Sequence, residues 1–405
     1  MFFANPNARR RDYDAALKSI MNIERGAESR RWLSHWNMLT PGATPLRALP
    51  GLAQRLSIGA LSMKDESMRS PLGSFKALGA PIALLRLILR RWPEQGLRAE
   101  DLLAGRYADL LKDFVAISAT DGNHGRALAA AARSMGCRCV IVLHAQVNAE
   151  REAPIAALGA EIVRVTGNYD ESVQEAARLA EINGWQVVSD TSYVGYEDIP
   201  RDVMQGYGVI VDELLETAPV GGPCPYTHVV LQGGVGGLAA GIVSHFWERY
   251  GAARPSFIVV EPEQADCLLQ SARRGQASRA TGSVDSVMAG LACGETSPLA
   301  WRFLQPSIDV FMTVSDANAV NAMRTLAKGD AGDVPVVSGE SGAAGLAALN
   351  VLAGDAEARR QAGLDASSRV LLLNTEGATA PALFQALTGL AADEVKSAQA
   401  RWHAA

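Results

Sequence analysis

Short apolar runs rich in valine and isoleucine alternate along this chain with longer stretches in which alanine and leucine recur at helical spacing. The apolar runs are Phe114–Ser118, Cys139–Leu143, Glu161–Val165, Gln186–Ser189, His228–Gln232, Ser256–Glu261 and Val370–Asn374. Runs this short, with little polar alternation, predict strands buried on both faces, as in parallel sheets. The helical stretches are Gly125–Met135, Glu152–Leu158, Tyr169–Glu181, Leu238–Arg249 and Ala343–Leu352. Strand alternating with helix predicts the α/β class.

The predicted strands fall into two sets, one ending at Ser189 and one beginning at His228, with a loop-like Gly221-Gly222-Pro223-Cys224-Pro225 before the second. Two doubly wound α/β lobes are expected, with the cleft between them as the natural ligand site. The small, polar stretch from Arg273 to Gly282 reads as a surface excursion.

Composition narrows the function classes. The chain has 405 residues, about half hydrophobic and a fifth charged, which is ample for a core. A net charge of -5 without a basic block argues against nucleic-acid binding. No run reaches the roughly 18 apolar residues of a membrane helix, and Met1 to Arg11 lacks the apolar core of a signal peptide. A cytoplasmic protein is expected. The five cysteines (137, 139, 224, 267 and 293) read as reduced thiols, and Cys137 and Cys139 lack the paired spacing of a zinc or redox site, so no metal is expected.

Three segments carry chemistry. In Ser70-Pro71-Leu72-Gly73-Ser74-Phe75-Lys76, a Pro and a Gly break the chain and Lys76 opens a helix containing Leu78, Ile82, Leu84 and Leu85. A helix start lowers an amine's pKa and suits an anionic ligand, and a neutral lysine can form a Schiff base with an aldehyde. Alone, such a lysine is equally an ordinary surface residue. Ser118-Ala119-Thr120-Asp121-Gly122-Asn123-His124-Gly125 joins a strand to a helix and offers hydroxyls, an amide and backbone N–H groups, fit for a carboxylate or a ring oxygen or simply for capping. Gln232-Gly233-Gly234-Val235-Gly236-Gly237-Leu238 is a phosphate cup by composition, with tight helix–strand packing as its plainer reading.

In this order the three segments resemble the fold type II, tryptophan synthase β-like, enzymes that use pyridoxal 5′-phosphate (PLP). The resemblance implies that Lys76 carries the cofactor, that Asn123 bonds its phenolic oxygen, and that Gly233, Gly234, Val235, Gly236 and Gly237 hold its phosphate. It places Thr375, in Asn374-Thr375-Glu376-Gly377, against the ring nitrogen. A closer likeness runs from Lys64 to Gly377. Lys64-Asp65-Glu66-Ser67, the Thr120–Arg126 loop, Asp190-Thr191, Met204-Gln205-Gly206-Tyr207, Met288–Glu295 and Ser338–Ala343 are similar to the diaminopropionate ammonia-lyases.

That resemblance implies elimination of ammonia from 2,3-diaminopropionate through aminoacrylate to pyruvate. Lys76 would be the base for the L-isomer, Asp121 the base for the D-isomer, and Asp190 the partner of the second amine. Ser118, Thr120, Asp121, Asp190 and Tyr193 would line the substrate. Residues 1–75 and 193–405 would form the large domain and 76–192 the small one, in a homodimer. His124 could be mechanistic or a structural hydrogen-bonding residue. Cys267 and Cys293 could pair near the site or stay as separate thiols.

The chain departs from the family where TEGDTD is usual. It reads Thr375-Glu376-Gly377-Ala378-Thr379-Ala380, and Tyr193 and Val194 stand where Trp and Glu are common. The loss of two carboxylates leaves another 3-substituted alanine, or a bulkier diamino acid, as the alternative substrate for elimination or replacement.

Overall fold

The computed structural model describes residues 1–404 except Asp121, Gln146, Asn148, Asn168, Val220, Asp330 and Ala331, and the backbone alone of Tyr169 and Asp170. Its strands are β1 (Phe2–Ala4), β2 (Leu46–Ala48), β3 (Ala60–Asp65), β4 (Val115–Ala119), β5 (Arg138–Leu143), β6 (Glu161–Arg164), β7 (Gln186–Val187), β8 (His228–Gln232), β9 (Ser256–Pro262), β10 (Val310–Val314) and β11 (Arg369–Asn374). The expected α/β class is what the chain adopts. All seven predicted strands form, within two residues at each end.

Two compact units divide the chain. One comprises Met1–Ile23, Ala43–Met68 and Ile210–Ala405, the other Glu24–Gly42 and Arg69–Val209. These limits fall at other residues than 75/76 and 192/193, because residues 24–42 and 69–75 pack with the smaller sheet's unit although they precede Lys76.

The larger unit holds a seven-stranded sheet in the order β1-β10-β9-β8-β11-β3-β2. The five inner strands run parallel, and the short outer strands β1 and β2 run antiparallel. Inner strands β8 and β9 are almost wholly buried, which explains their unbroken apolar character. β1, β2, β3 and β10 were not predicted. β1 and β2 have three residues each and exist only through antiparallel pairing with a longer strand, β1 with the far-off β10 (Phe2↔Met312) and β2 with the nearby β3 (Leu46↔Lys64). β3 ends in Lys64-Asp65, charges that local pattern alone does not assign to a buried strand.

Those charges are buried because each is matched. Lys64 Nζ donates to Glu213 Oε2 at 2.6 Å and to the Thr44 carbonyl at 2.8 Å. The Thr44 hydroxyl donates to Glu66 Oε1 at 2.6 Å. Asp65 accepts from Arg47 Nε at 2.7 Å, Ser67 Oγ at 2.5 Å and Asn374 Nδ2 at 2.8 Å. This network holds the carboxyl ends of β3 and β11, strands paired from Arg369↔Ala60 to Asn374↔Asp65, so the residues just beyond β11 start from a rigid base.

The smaller unit has a four-stranded, all-parallel sheet in the order β6-β5-β4-β7. Val115, Ile117, Val140, Val142, Ala176 and Ala180 form its core. No helix of the described residues is long and apolar enough to cross a membrane.

Glu213 and Lys64 are both nearly inaccessible, so removing one leaves an uncompensated buried charge. Glu213→Ala is expected to cost about 3–5 kcal/mol in urea unfolding. A loss below 1 kcal/mol would show that water reaches the pair.

Candidate cofactor and catalytic site

Lys76 begins the helix Lys76–Arg91, after a tight turn in which the Ser70 carbonyl accepts from Gly73 N at 2.9 Å and Gly73 takes a φ of 73°. No side chain caps this helix start. A cation in its first turn opposes the helix dipole, and Asp190 offsets that. Lys76 Nζ donates to Asp190 Oδ2 at 2.5 Å, with about a fifth of each side chain exposed.

Parallel register brings the other groups to the same place. β4 and β7 are adjacent, with Ala116↔Gln186 and Ile117↔Val187 aligned, so Ser118 near the end of β4 and Thr120 just beyond it come close to Ser189 and Asp190 beyond β7. The helix Asn123–Met135 then starts with Asn123 and His124. His124 is buried, and its Nε2 lies 2.9 Å from the Val188 carbonyl. A carbonyl only accepts, so the proton is on Nε2, and Nδ1 is left 3.8 Å from Asp190 Oδ2. Burial lowers the His124 pKa, against the pull of Asp190, so the imidazole is neutral and Nδ1 bears a lone pair. Burial by itself would raise the Asp190 carboxyl, but the charge of Lys76 and its hydrogen bond outweigh it and hold it well below the usual carboxylate range.

Ser118 is buried, and its hydroxyl makes no hydrogen bond to a described residue. Thr120 packs close to Gly125, where an added Cβ would lie 2.7 Å from its methyl. Tyr193 is half exposed and stacks on Tyr196, with ring centres 4.8 Å apart. The Tyr196 hydroxyl anchors this hairpin beside Asp190, accepting from Ser189 N and donating to the Val187 carbonyl, both at 2.9 Å. Asp121 lies outside the described residues.

The larger unit carries the glycine cup and Thr375 at one edge, because β8 and β11 are adjacent and parallel. The cup links β8 to the helix Gly237–Tyr250, which has Gly236 as its N-cap and no side-chain cap. Gly234 and Gly236 have φ of 59° and 98°, a conformation that side chains disfavour. An added Cβ would lie 2.7 Å from Glu261 Cγ at Gly233 and 2.8 Å from Leu304 Cδ1 at Gly236. Gln232 Nε2 ties the two strand ends, donating to the Leu373 carbonyl at 2.8 Å and the Gly342 carbonyl at 3.1 Å. Thr375 is buried.

These residues fit PLP. The cup admits a phosphate where side chains would collide, and an uncapped helix start faces that position with its N–H groups. Lys76 has its amine at a strand edge lined by polar groups. Residues 38–376 match the family model described as "Pyridoxal-phosphate dependent enzyme". The chain is 37% identical over 389 residues to a diaminopropionate ammonia-lyase of Salmonella typhimurium, covering 94% of this chain and 96% of that protein.

The chain belongs to the diaminopropionate ammonia-lyase family of PLP-dependent enzymes.

Solved structures agree. The selenomethionine-labelled holo diaminopropionate ammonia lyase of Escherichia coli superposes with a TM-score of 0.86 at 32% identity, with 96% of each chain covered. The same E. coli enzyme in complex with an aminoacrylate–PLP azomethine reaction intermediate gives 0.83 at 32% identity, with 96% of each chain covered. The family resemblance and the fold type II architecture expected from sequence are thereby borne out, and PLP is the cofactor.

The structure gathers Lys76, His124 and Asp190, with Ser118, Thr120 and Asn123 at the same sheet edge. In the larger unit it gathers the cup and Thr375. No disulfide joins Cys267 to Cys293, and Cys267 Sγ lies 3.5 Å from the Gly234 carbonyl. Sequence reasoning missed Tyr207, beside Lys76, and the Arg47–Asp65–Asn374 chain that leads to Thr375. The charged run Lys64-Asp65-Glu66 after apolar Leu61 and Met63 was the available signal for the second.

A carboxyl held low in the folded state adds stability that is present above its unfolded pKa of about 3.9 and lost as pH falls toward its folded value. In the PLP-free chain, the stability difference between wild type and Asp190→Asn is expected to be largest near pH 7 and to shrink below about pH 4. Thermal melts across this range check it. A gap that stayed constant with pH would contradict the ion pair.

Proposed function

We propose that this chain eliminates ammonia from 2,3-diaminopropionate to give pyruvate and ammonia. The observation that carries the reading is the Lys76–Asp190 ion pair at the edge of a parallel sheet, in a chain 37% identical to a diaminopropionate ammonia-lyase. When bound, PLP supplies an electron sink that makes the Cα proton of an attached amino acid acidic.

The chain's own residues do the rest in this reading. Lys76 carries the cofactor and, when released, takes the Cα proton of the L-isomer. Asp121 takes it from the D-isomer. Asp190, ionised throughout the neutral range, holds the second amine as an ammonium, the form in which an amine leaves well. Asn123 orients the cofactor ring from the start of its helix. Gly233, Gly234, Val235, Gly236 and Gly237 hold the phosphate. Thr375 presents a hydroxyl to the ring nitrogen and leaves it weakly bonded. Ser118, Thr120 and Tyr193 contact the substrate. The unit of Met1–Ile23, Ala43–Met68 and Ile210–Ala405 acts as the large cofactor-binding domain and that of Glu24–Gly42 and Arg69–Val209 as the small one, and the enzyme works as a cytoplasmic homodimer.

A second reading, elimination or replacement on another 3-substituted alanine, is favoured by Ala378 and Ala380. Ala380 is buried and caps the helix Pro381–Thr388 without a side-chain bond, so no carboxylate stands there to meet a distal cation.

The purified protein is expected to be yellow and to release pyruvate from 2,3-diaminopropionate faster than from any other member of a 3-substituted alanine panel. A different best substrate would select the second reading. Lys76→Ala is expected to lose the yellow lysine adduct and at least about 10³-fold of the activity. Asp121→Asn is expected to reduce kcat for the D-isomer at least about tenfold more than for the L-isomer. Equal losses would remove Asp121 from its assigned role.

A further inference from the structure

Two glycines bring a tyrosine to the lysine. Tyr207 lies on the helix Asp198–Leu214, and that helix packs closely on Lys76–Arg91. A Cβ on Gly206 would lie 2.3 Å from the Leu78 carbonyl oxygen, and one on Gly79 would lie 2.6 Å from Tyr207 Cε1. Gly79 is one helical turn beyond Lys76, so the notch it leaves is on the lysine's own face. The Tyr207 ring fills this notch, packs on Phe75 at 4.8 Å between centres, and has Lys76 Nζ 5.8 Å from its centre. Its hydroxyl is buried, and Lys76 is the hydrogen-bonding group beside it. Burial pushes the phenol up to about 12, partly offset by the charge of Lys76 and by hydrogen bonding to it, so the hydroxyl is neutral.

A buried hydroxyl needs a hydrogen-bond partner, and Lys76 is the group placed to be one. A neutral amine has two N–H groups and one lone pair. Asp190 takes one N–H. A second acceptor would leave one direction for the lone pair, the feature a base must aim.

We propose that Tyr207 is a positioning residue for Lys76, its hydroxyl oxygen accepting the second N–H of the released lysine so that the lone pair faces the substrate Cα. This rests on the reading of Lys76 as the cofactor-carrying lysine and base. Among the described residues, the titratable groups facing Lys76 include Asp190, beyond β7, His124, on the helix Asn123–Met135, and Tyr207 itself.

Tyr207→Phe keeps the ring in the Gly79 notch and removes only the oxygen. Two readouts test it. In the loaded enzyme, kcat for L-2,3-diaminopropionate is expected to fall about tenfold with KM within about twofold, the cofactor band unchanged. In the full-length chain freed of PLP, labelling of Lys76 by trinitrobenzenesulfonate, mapped by mass spectrometry against pH, is expected to shift its midpoint down by about one unit, because the ammonium loses an acceptor. A wild-type value in either readout overturns the proposal. So does a lost cofactor band or a lowered Tm with an unmoved labelling midpoint, which would mean that Tyr207 only packs. Failure of the underlying reading looks different. After borohydride reduction of the wild-type enzyme, the cofactor would be found on a peptide other than that of Lys76.

Discussion

Lys76 and Asp190 hold opposite charges 2.5 Å apart at the edge of a parallel sheet, where each is mostly shielded from water. Neither charge is stable there alone. The amine opposes the positive start of its own helix, and the carboxylate loses hydration by burial. Together they keep a reactive lysine in one position and a carboxylate ionised at neutral pH. Much of the smaller unit can be understood as the scaffold for this contact. The Ser70–Gly73 turn starts the lysine's helix, the β4–β7 register puts Asp190 near Ser118 and Thr120, and the Tyr196 hydroxyl pins the segment after Asp190.

The same rule, that a buried charge needs a partner, organises the larger unit. Lys64 with Glu213, and Arg47 with Asp65 and Asn374, let a strand end in charges without leaving the sheet. Broken pairs there would destabilise the fold rather than the chemistry directly, because their cost is uncompensated desolvation. The glycine cup works by the opposite means. It offers backbone instead of side chains, and the positive φ of Gly234 and Gly236 together with the crowding at Gly233 keep it free of them.

The departures from the family's motifs noted in the sequence follow Thr375 and Asp190, and leave the lysine turn and the glycine cup unchanged. Ala378 and Ala380 follow Thr375, and Tyr193 and Val194 follow Asp190, while the lysine, the cup and the Asn123 loop are intact. Val194 is almost fully exposed at the tip of its hairpin, so a side chain there answers to solvent and ligand rather than to packing.

The chain's local patterns were sufficient for its class, for seven of its strands and for the three segments that fit PLP, because buried parallel strands and glycine-rich strand-to-helix turns have period and composition readable over a few residues. They were insufficient for β1, β2 and β3: β1 and β2 are short and become strands only through pairing, β1 with a partner hundreds of residues away, and β3 ends in charges that are buried only because they are matched. They were insufficient, too, for Tyr207. Its sequence distance from Lys76 is large, and only the close approach of two helices over Gly79 and Gly206 makes them neighbours. Lys76 itself shows the division most plainly. Its order among motifs marked it as the cofactor's lysine, but its partner Asp190, 114 residues away, was set by strand register, a property of the folded sheet that no local pattern encodes.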